Sequence, residues 1–202
     1  MSIFCVGRNY VLHAQELNNP VPAEPLIFMK PNTALLRDNK DFYFPNFSKE
    51  IHYEVELVLK IGKKAKCVAV NKALEYISHF SLGIDFTARD IQEKCKKNGH
   101  PWEIAKAFDH SAVLGEMIEI SDSRLDDIAF SLTKNKNIVQ SGNSKDMLFK
   151  PNHIINYISQ FFTLQVNDLI FTGTPAGVGP IQIGDQYEGF IGQKSIFSCK
   201  IK

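Results

Sequence analysis

From Ile51 to Ile61 the chain alternates with a period of two. Ile51, Tyr53, Val55, Leu57, Leu59 and Ile61 fall on one side of an extended segment, and His52, Glu54, Glu56, Val58 and Lys60 fall on the other. That is the period of a β-strand, and it ties the fold to a sheet. Glu54 and Glu56 then share a face, roughly 7 Å apart along the strand. If that face meets water, the pair needs no further explanation. If it meets the interior, the two carboxylates converge on a cation. The pair alone does not choose; a third oxygen ligand and groups suited to a substrate would.

The flanking segments are also strand-rich. "NNPVPAEP" (18–25), with its three prolines, is a loop, and "PLIFMKP" (25–31) is a short apolar run bounded by prolines, read as a strand. Residues 32–50 are polar and irregular, and 71–77 allow one or two helical turns. "FSLGIDF" (80–86) alternates again, with Asp85 on the polar side. The period then changes. Residues 87–99 open with Thr87-x-x-Asp90, a capping-box variant, and close with lysines and Asn98-Gly99, a helix C-terminal signal. Residues 128–133 and 137–140 predict a hairpin, and 168–173, 186–191 and 194–201 predict strands. Residues 151–164 predict a helix with Ile154, Ile155, Ile158, Phe161 and Phe162 on one stripe. The sum is a single α+β domain over residues 1–202, strand-rich with a few short helices rather than alternating βαβ.

Composition narrows the function classes. At 202 residues the chain can bury a sizeable core. Lys+Arg number 23 against 22 Asp+Glu, so no electrostatic footprint for nucleic acid or an anionic membrane is present. No window approaches the ~18 apolar residues of a membrane span, and "MSIFCVGRNY" lacks the basic flank and apolar length of a secretory signal. Cys5, Cys67, Cys95 and Cys199 lie far apart without a Cys-x-x-Cys, and are expected to be reduced and mostly buried in a cytoplasmic protein.

Asp85 is the candidate third ligand. Two glutamates and an aspartate suit a hard divalent cation, Mg²⁺ or Mn²⁺, which prefers oxygen donors; zinc would more often recruit His or Cys. Lys106, set among Trp102, Ile104, Ala105, Ala107 and Phe108, reads either as a lysine reaching out from a core edge or as a cation that holds an anionic substrate. His13 and Glu16 are spaced i, i+3, so on a helix they form either an ordinary surface pair or an oriented general base. "LIFTGTPAGVG" (169–179) lacks the Gly-Lys-Ser/Thr of a phosphate loop and reads as a tight loop that offers backbone N–H groups and the Thr174 hydroxyl to an anion.

Six segments in order, "CVGRNY" (5–10), "FMKP" (28–31), "HYEVEL" (52–57), "GIDFTARDIQ" (83–92), "PWEIAKAFD" (101–109) and "DLIFTGTPAGVGP" (168–180), resemble the fumarylacetoacetate hydrolase family, particularly its small single-domain acylpyruvases. The resemblance implies a mixed β-sandwich roll, a homodimer, and Mg²⁺ or Mn²⁺ on Glu54, Glu56 and Asp85. It places His13 and Glu16 in a lid over residues 11–19 and carries Gln92 and Lys106 over as catalytic residues. Arg8, Tyr10, Lys30, Arg89 and Thr174 match as substrate-binding positions. The implied chemistry is C–C cleavage of small 2-oxo acids, by acylpyruvate hydrolysis or oxaloacetate decarboxylation through a shared, metal-stabilised enolate. Isomerase or hydratase work on dicarboxylic 2-oxo acids, or non-catalytic binding of a 2-oxo acid, are the alternatives. One departure is Asn167-Asp168, where many members have Gly-Asp; Asn tolerates positive φ, so the turn is expected to survive.

Overall fold

The structure, a computed structural model, describes residues 1–17, 19–120 and 125–202. In chain order it opens with β1 (Ile3–Gly7), helix α1 (Val11–Glu16), β2 (Leu26–Lys30) and β3 (Leu35–Leu36). Next come β4 (Ile51–Tyr53), β5 (Val55–Ile61), β6 (Ile77–Asp85) and β7 (Thr87–Ala88). Helices α2 (Arg89–Asn98) and α3 (Glu103–Lys106) lead to β8 (Ala112–Leu114) and β9 (Ile118–Glu119). The last part holds β10 (Ala129–Lys134), β11 (Asn137–Asn143), α4 (Pro151–Phe161), β12 (Leu169–Phe171), β13 (Gly179–Pro180), β14 (Gln186–Ile191) and β15 (Lys194–Lys200). The fold is α+β and strand-rich, as its sequence predicts.

The largest sheet runs β2-β1-β12-β5-β6-β8-β3, with β9 also paired to β6. It is mixed: β1–β12 and β3–β8 are parallel, and its other pairs are antiparallel. A second sheet runs β11-β10-β14-β15 and a third β13-β4-β7. Asn135 and Lys136 both take positive φ (51° and 70°) between β10 and β11, the backbone a tight two-residue hairpin requires.

The expected long strand 51–61 is two strands, and the break falls at Glu54. β4 pairs into the three-stranded sheet and β5 into the large one. Neither face of β5 meets water over most of its length. Leu57 and Leu59 enter the main apolar cluster, while Val58 packs with Ile3, Cys5, Ala112, Leu169 and Phe171 on the opposite face. Glu54 and Glu56 are therefore inside the protein, at 4% and 2% exposure.

Three other expectations change. The Thr87-x-x-Asp90 capping box does not form: Ala88 is the N-cap of α2, and no side chain caps it. Thr87 is in β7, and Asp90 instead accepts from the Ser48 hydroxyl and the Lys49 N–H. The C-terminal signal works, with Gly99 left-handed (φ 65°). On α4 the stripe is shorter than predicted: Ile154, Ile155 and Ile158 are fully buried, but Phe161 and Phe162, at the end of the helix, are exposed. β1 is a strand that the sequence reading left unassigned. Asn167 takes φ 73°, so the turn before β12 keeps its left-handed residue.

Candidate active site

Strand pairing brings the three carboxylates together. β5 and β6 are antiparallel with Glu56 opposite Gly83, and the Asp85 N–H donates to the Glu54 carbonyl at 2.8 Å. Residues opposite each other across a ladder point to the same face, as do residues two apart along a strand. Glu54, Glu56 and Asp85 consequently share a face, and one oxygen from each lies within 4.8 Å of the others. Gly83 leaves room for Phe171: a Cβ there would stand 2.9 Å from the Phe171 ring.

Three buried cations surround this cluster. Lys106 Nζ lies 2.7 Å from Glu54 Oε2, 2.7 Å from Asp85 Oδ2 and 2.6 Å from Thr87 Oγ1. Arg89 donates to Glu54 Oε1 at 2.5 Å and to Gln92 Oε1 at 2.7 Å. Lys30 Nζ is 2.7 Å from Asp85 Oδ1, but its hydrogen bonds go to the Lys106 carbonyl and to the carbonyl and hydroxyl of Ser111. Asp85 Oδ1 is thus fully buried without a hydrogen bond.

The electrostatics separate the two glutamates. Burial alone would raise the Glu54 pKa, but Lys106 and Arg89 override it and hold the group well below the usual carboxylate range. Burial, then repulsion from Asp85 and Glu54, pushes Glu56 well up, against the opposing pull of Lys106 and the Gly173 N–H at 2.7 Å. A hard divalent cation fits this set: it would coordinate the Asp85 oxygen that has no hydrogen bond and relieve the repulsion that drives Glu56 toward protonation.

Helix α1 covers the cluster. His13 is buried, and that burial lowers its pKa, keeping the imidazole neutral. Its Nδ1 stands 3.6 Å from Glu16 Oε2, beyond hydrogen-bond reach, and has no hydrogen-bond partner among the described residues. The Glu16 carboxylate accepts the Gly177 N–H at 3.1 and 3.2 Å. The loop after β12 does hold anions by its backbone, yet in this structure they are the protein's own: Glu56 at Gly173 and Glu16 at Gly177. Thr174 lines the cavity, and its hydroxyl accepts from Gln140.

Of the residues singled out from sequence, His13, Glu54, Glu56, Asp85, Arg89, Gln92, Lys106, Thr174 and Arg8 line one cavity of about 30 Å³. That is room for about two water-sized occupants. Three residues stand apart from the lining. Tyr10 packs in the main apolar cluster with an unpartnered hydroxyl, Lys30 lies behind Asp85, and Glu16 faces the loop. Sequence reasoning missed Thr87, Gln140 and Lys96. Gln140 joins the Thr174 hydroxyl to the Val55 N–H and so buttresses the site from β11. A hairpin glutamine carries no local signal of such a role.

Residues 2–202 match the family described as fumarylacetoacetate (FAA) hydrolase C-terminal. The oxaloacetate tautomerase FAHD1 of Bos taurus, a mitochondrial protein, is 36% identical over 204 residues, spanning 100% of this chain and 90% of the relative. Its Arabidopsis thaliana counterpart is 41% identical over 185 residues, 91% of this chain and 83% of the relative. Among solved structures, the fumarylpyruvate hydrolase of Pseudomonas aeruginosa, in complex with Mn²⁺ and pyruvate, superposes with a TM-score of 0.94 at 34% identity. That match covers 100% of this chain and 89% of the other.

Proposed function

The chain belongs to the fumarylacetoacetate hydrolase C-terminal family, and from that premise we propose that it is a divalent-metal-dependent enzyme acting on C–C bonds of small 2-oxo acids. Acylpyruvate hydrolysis and oxaloacetate decarboxylation are the two reactions, and they share an enolate. The observation that carries this reading is the convergence of Glu54, Glu56 and Asp85 beneath the buried His13.

Mg²⁺ or Mn²⁺ held by Glu54, Glu56 and Asp85 would supply Lewis-acid polarisation of the 2-oxo group. The chain's own residues do the rest. Lys106 and Arg89, both buried, place positive charge where the enolate develops. His13, whose Nδ1 faces Glu16, takes a proton at Nε2: from water in hydrolysis. Gln92, fixed by Arg89, and Thr174, fixed by Gln140, orient the substrate's oxygens. A cavity this small does not admit a 2-oxo acid with α1 in place, so residues 11–19 act as a lid that opens for entry; Asn18 lies outside the described residues.

A second reading, enol–keto isomerisation of a dicarboxylic 2-oxo acid, is favoured by the same buried base, since moving a proton between carbon and oxygen needs a base but no attacking water. The test is a screen of the purified protein with Mg²⁺ or Mn²⁺. Oxaloacetate is followed for loss of carbon dioxide and for tautomerisation, and acetylpyruvate and fumarylpyruvate for hydrolysis. Tight binding of these acids without turnover would instead identify a 2-oxo acid binding protein.

We assign the protein to the cytoplasm as a homodimer. Its four cysteines are unpaired, and no described helix is long and apolar enough to cross a membrane. A groove of about 880 Å³ carrying Phe47 and Ile104, 54% and 67% exposed, suits a second copy of the chain; analytical ultracentrifugation measures the assembly.

A further inference from the structure

β11 breaks its alternation one residue before Gln140. Leu132 of β10 pairs with Gln140 and Thr133 pairs with Ile138, so Val139 is an extra residue, a β-bulge. In a regular strand Ile138 and Gln140 would share a face. Here Ile138 is 70% exposed and Gln140 only 2%. A bulge re-aims the side chain beside it, and this one turns an amide into the protein.

That amide joins two places far apart in the chain. Gln140 Oε1 accepts the Val55 N–H at 2.9 Å. Val55 stands between Glu54 and Glu56, where the chain passes from one sheet to the next, and β12 pairs with β5 from Val58 to Lys60. Gln140 thus gives Val55 an acceptor in place of a neighbouring strand. Gln140 Nε2 donates to the Thr174 hydroxyl and to the Pro175 carbonyl, both at 2.9 Å, which uses both of its hydrogens.

The loop that Gln140 grips holds a carboxylate at each end. The Gly173 N–H donates to Glu56, and the Gly177 N–H donates to Glu16 of α1. β11 backs this loop at two further points. A Cβ on Gly177 would stand 2.6 Å from the Val139 carbonyl, and one on Gly142 2.9 Å from the Pro175 ring. The bond from Glu56 reaches only the near end of the loop. Thr174 and Pro175 must also be held for a restraint at the carboxylates to arrive at Gly177.

We propose that Gln140 is a positioning residue that couples the metal-binding carboxylates to helix α1. A divalent cation on Glu54, Glu56 and Asp85 fixes the Val55 segment. Gln140 passes that restraint to Thr174 and Pro175, and Gly177 then keeps Glu16, and with it residues 11–17, in the closed position. The inference rests on the metal site and lid given under Proposed function. It adds a route between them through a residue that touches neither metal nor substrate.

Amide exchange of residues 11–17, with and without Mn²⁺ and with no substrate, tests it; calorimetric titration sets the Mn²⁺ concentration that saturates each variant. In the unmodified protein Mn²⁺ should slow this exchange about tenfold, within the usual range of coupling between two sites. Gln140→Met keeps the side chain's bulk and removes its three hydrogen bonds. Saturating Mn²⁺ should then leave the exchange unchanged. Thr174→Val, which removes one of the two loop contacts, should lose part of the slowing. Tyr187→Phe loses the bond to Asp185 in the same sheet but leaves Gln140 in place; it should lower the melting temperature and keep the full slowing. Full slowing in Gln140→Met or Thr174→Val overturns the inference alone, as does its loss in Tyr187→Phe or its absence from the unmodified protein with Mn²⁺ bound. Failure of the unmodified protein to bind Mn²⁺ overturns the proposed function and the coupling with it.

Discussion

Lys106 Nζ lies 2.7 Å from Asp85 Oδ2, with both side chains almost wholly buried. The same nitrogen holds Glu54. Lys106 thus provides part of the counter-charge that a divalent cation would bring to the same two carboxylates. Removing one partner of a buried ion pair costs about 3–5 kcal/mol, because the other charge is left without compensation. Lys106→Met should lose about that much stability in urea denaturation with chelator present. Saturating Mn²⁺ should recover part of it. An equal deficit with and without metal would mean that lysine and cation do not share the carboxylates.

Glu56 should make the metal-free protein less stable as pH rises. Burial and the repulsion of Asp85 and Glu54 raise its pKa, so the folded state keeps a proton that the unfolded state has released above ~4.3. Where the folded state binds more protons, stability falls with increasing pH. The window runs from that unfolded pKa up to the raised folded one. Glu56→Gln should flatten this slope in chelator and abolish stabilisation by Mn²⁺. Thermal melts across pH, with and without metal, give both readouts, and an unchanged metal response would count against Glu56 as a ligand.

His13→Ala should separate the two reactions. Hydrolysis needs an activated water, and general-base help is typically worth ~10²–10⁴-fold. Acylpyruvate hydrolysis should fall by roughly that factor in kcat/KM. Oxaloacetate decarboxylation should fall less, because carbon dioxide leaves without a base. Equal losses would assign His13 to lid closure or binding.

Glu16 fastens α1 to the loop through the Gly177 N–H. A hydrogen bond to a charged group contributes about 1.5–3 kcal/mol, and the Glu16 side chain is 35% exposed, so the lower figure applies. Glu16→Ala should increase opening of residues 11–17 by ~10-fold, read as faster amide exchange. Oxalate with Mg²⁺ should slow that exchange in the unmodified protein; identical protection with and without ligand would exclude a lid.

Gly83→Ala should damage the site through the sheet. Its Cβ would press on the Phe171 ring and the Val113 carbonyl beside Glu56. Overpacking of this kind costs about 1–3 kcal/mol. Metal affinity should fall along with the melting temperature; a lower melting temperature with unchanged Mn²⁺ binding would show that Gly83 serves the core alone.

The amino-acid sequence by itself determined the strand-rich α+β class and most strand positions, because alternation is a local property that survives whatever the strands pack against. β14 falls on its predicted residues, and the hairpin of β10 and β11 lies where the polar turn residues put it. It also marked most of the polar and charged residues that line the cavity: Glu54, Glu56, Asp85, His13 and Lys106 are conspicuous before any folding, and Arg8, Arg89 and Gln92 were marked by the family resemblance. It did not determine that both faces of β5 are buried, that the strand changes sheet at Glu54, or that Thr87 accepts from Lys106 instead of capping a helix. Those depend on partners distant in the chain: β12 against β5, and Lys106 beside Glu54 across 52 residues. Burial is set by what lies opposite, and a sequence window holds only one side of each contact. The placing of Lys96 on the cavity wall belongs to the same class, because the pitch of α2 and the ring of Trp102, not the spacing of lysines, turn that charge toward the site.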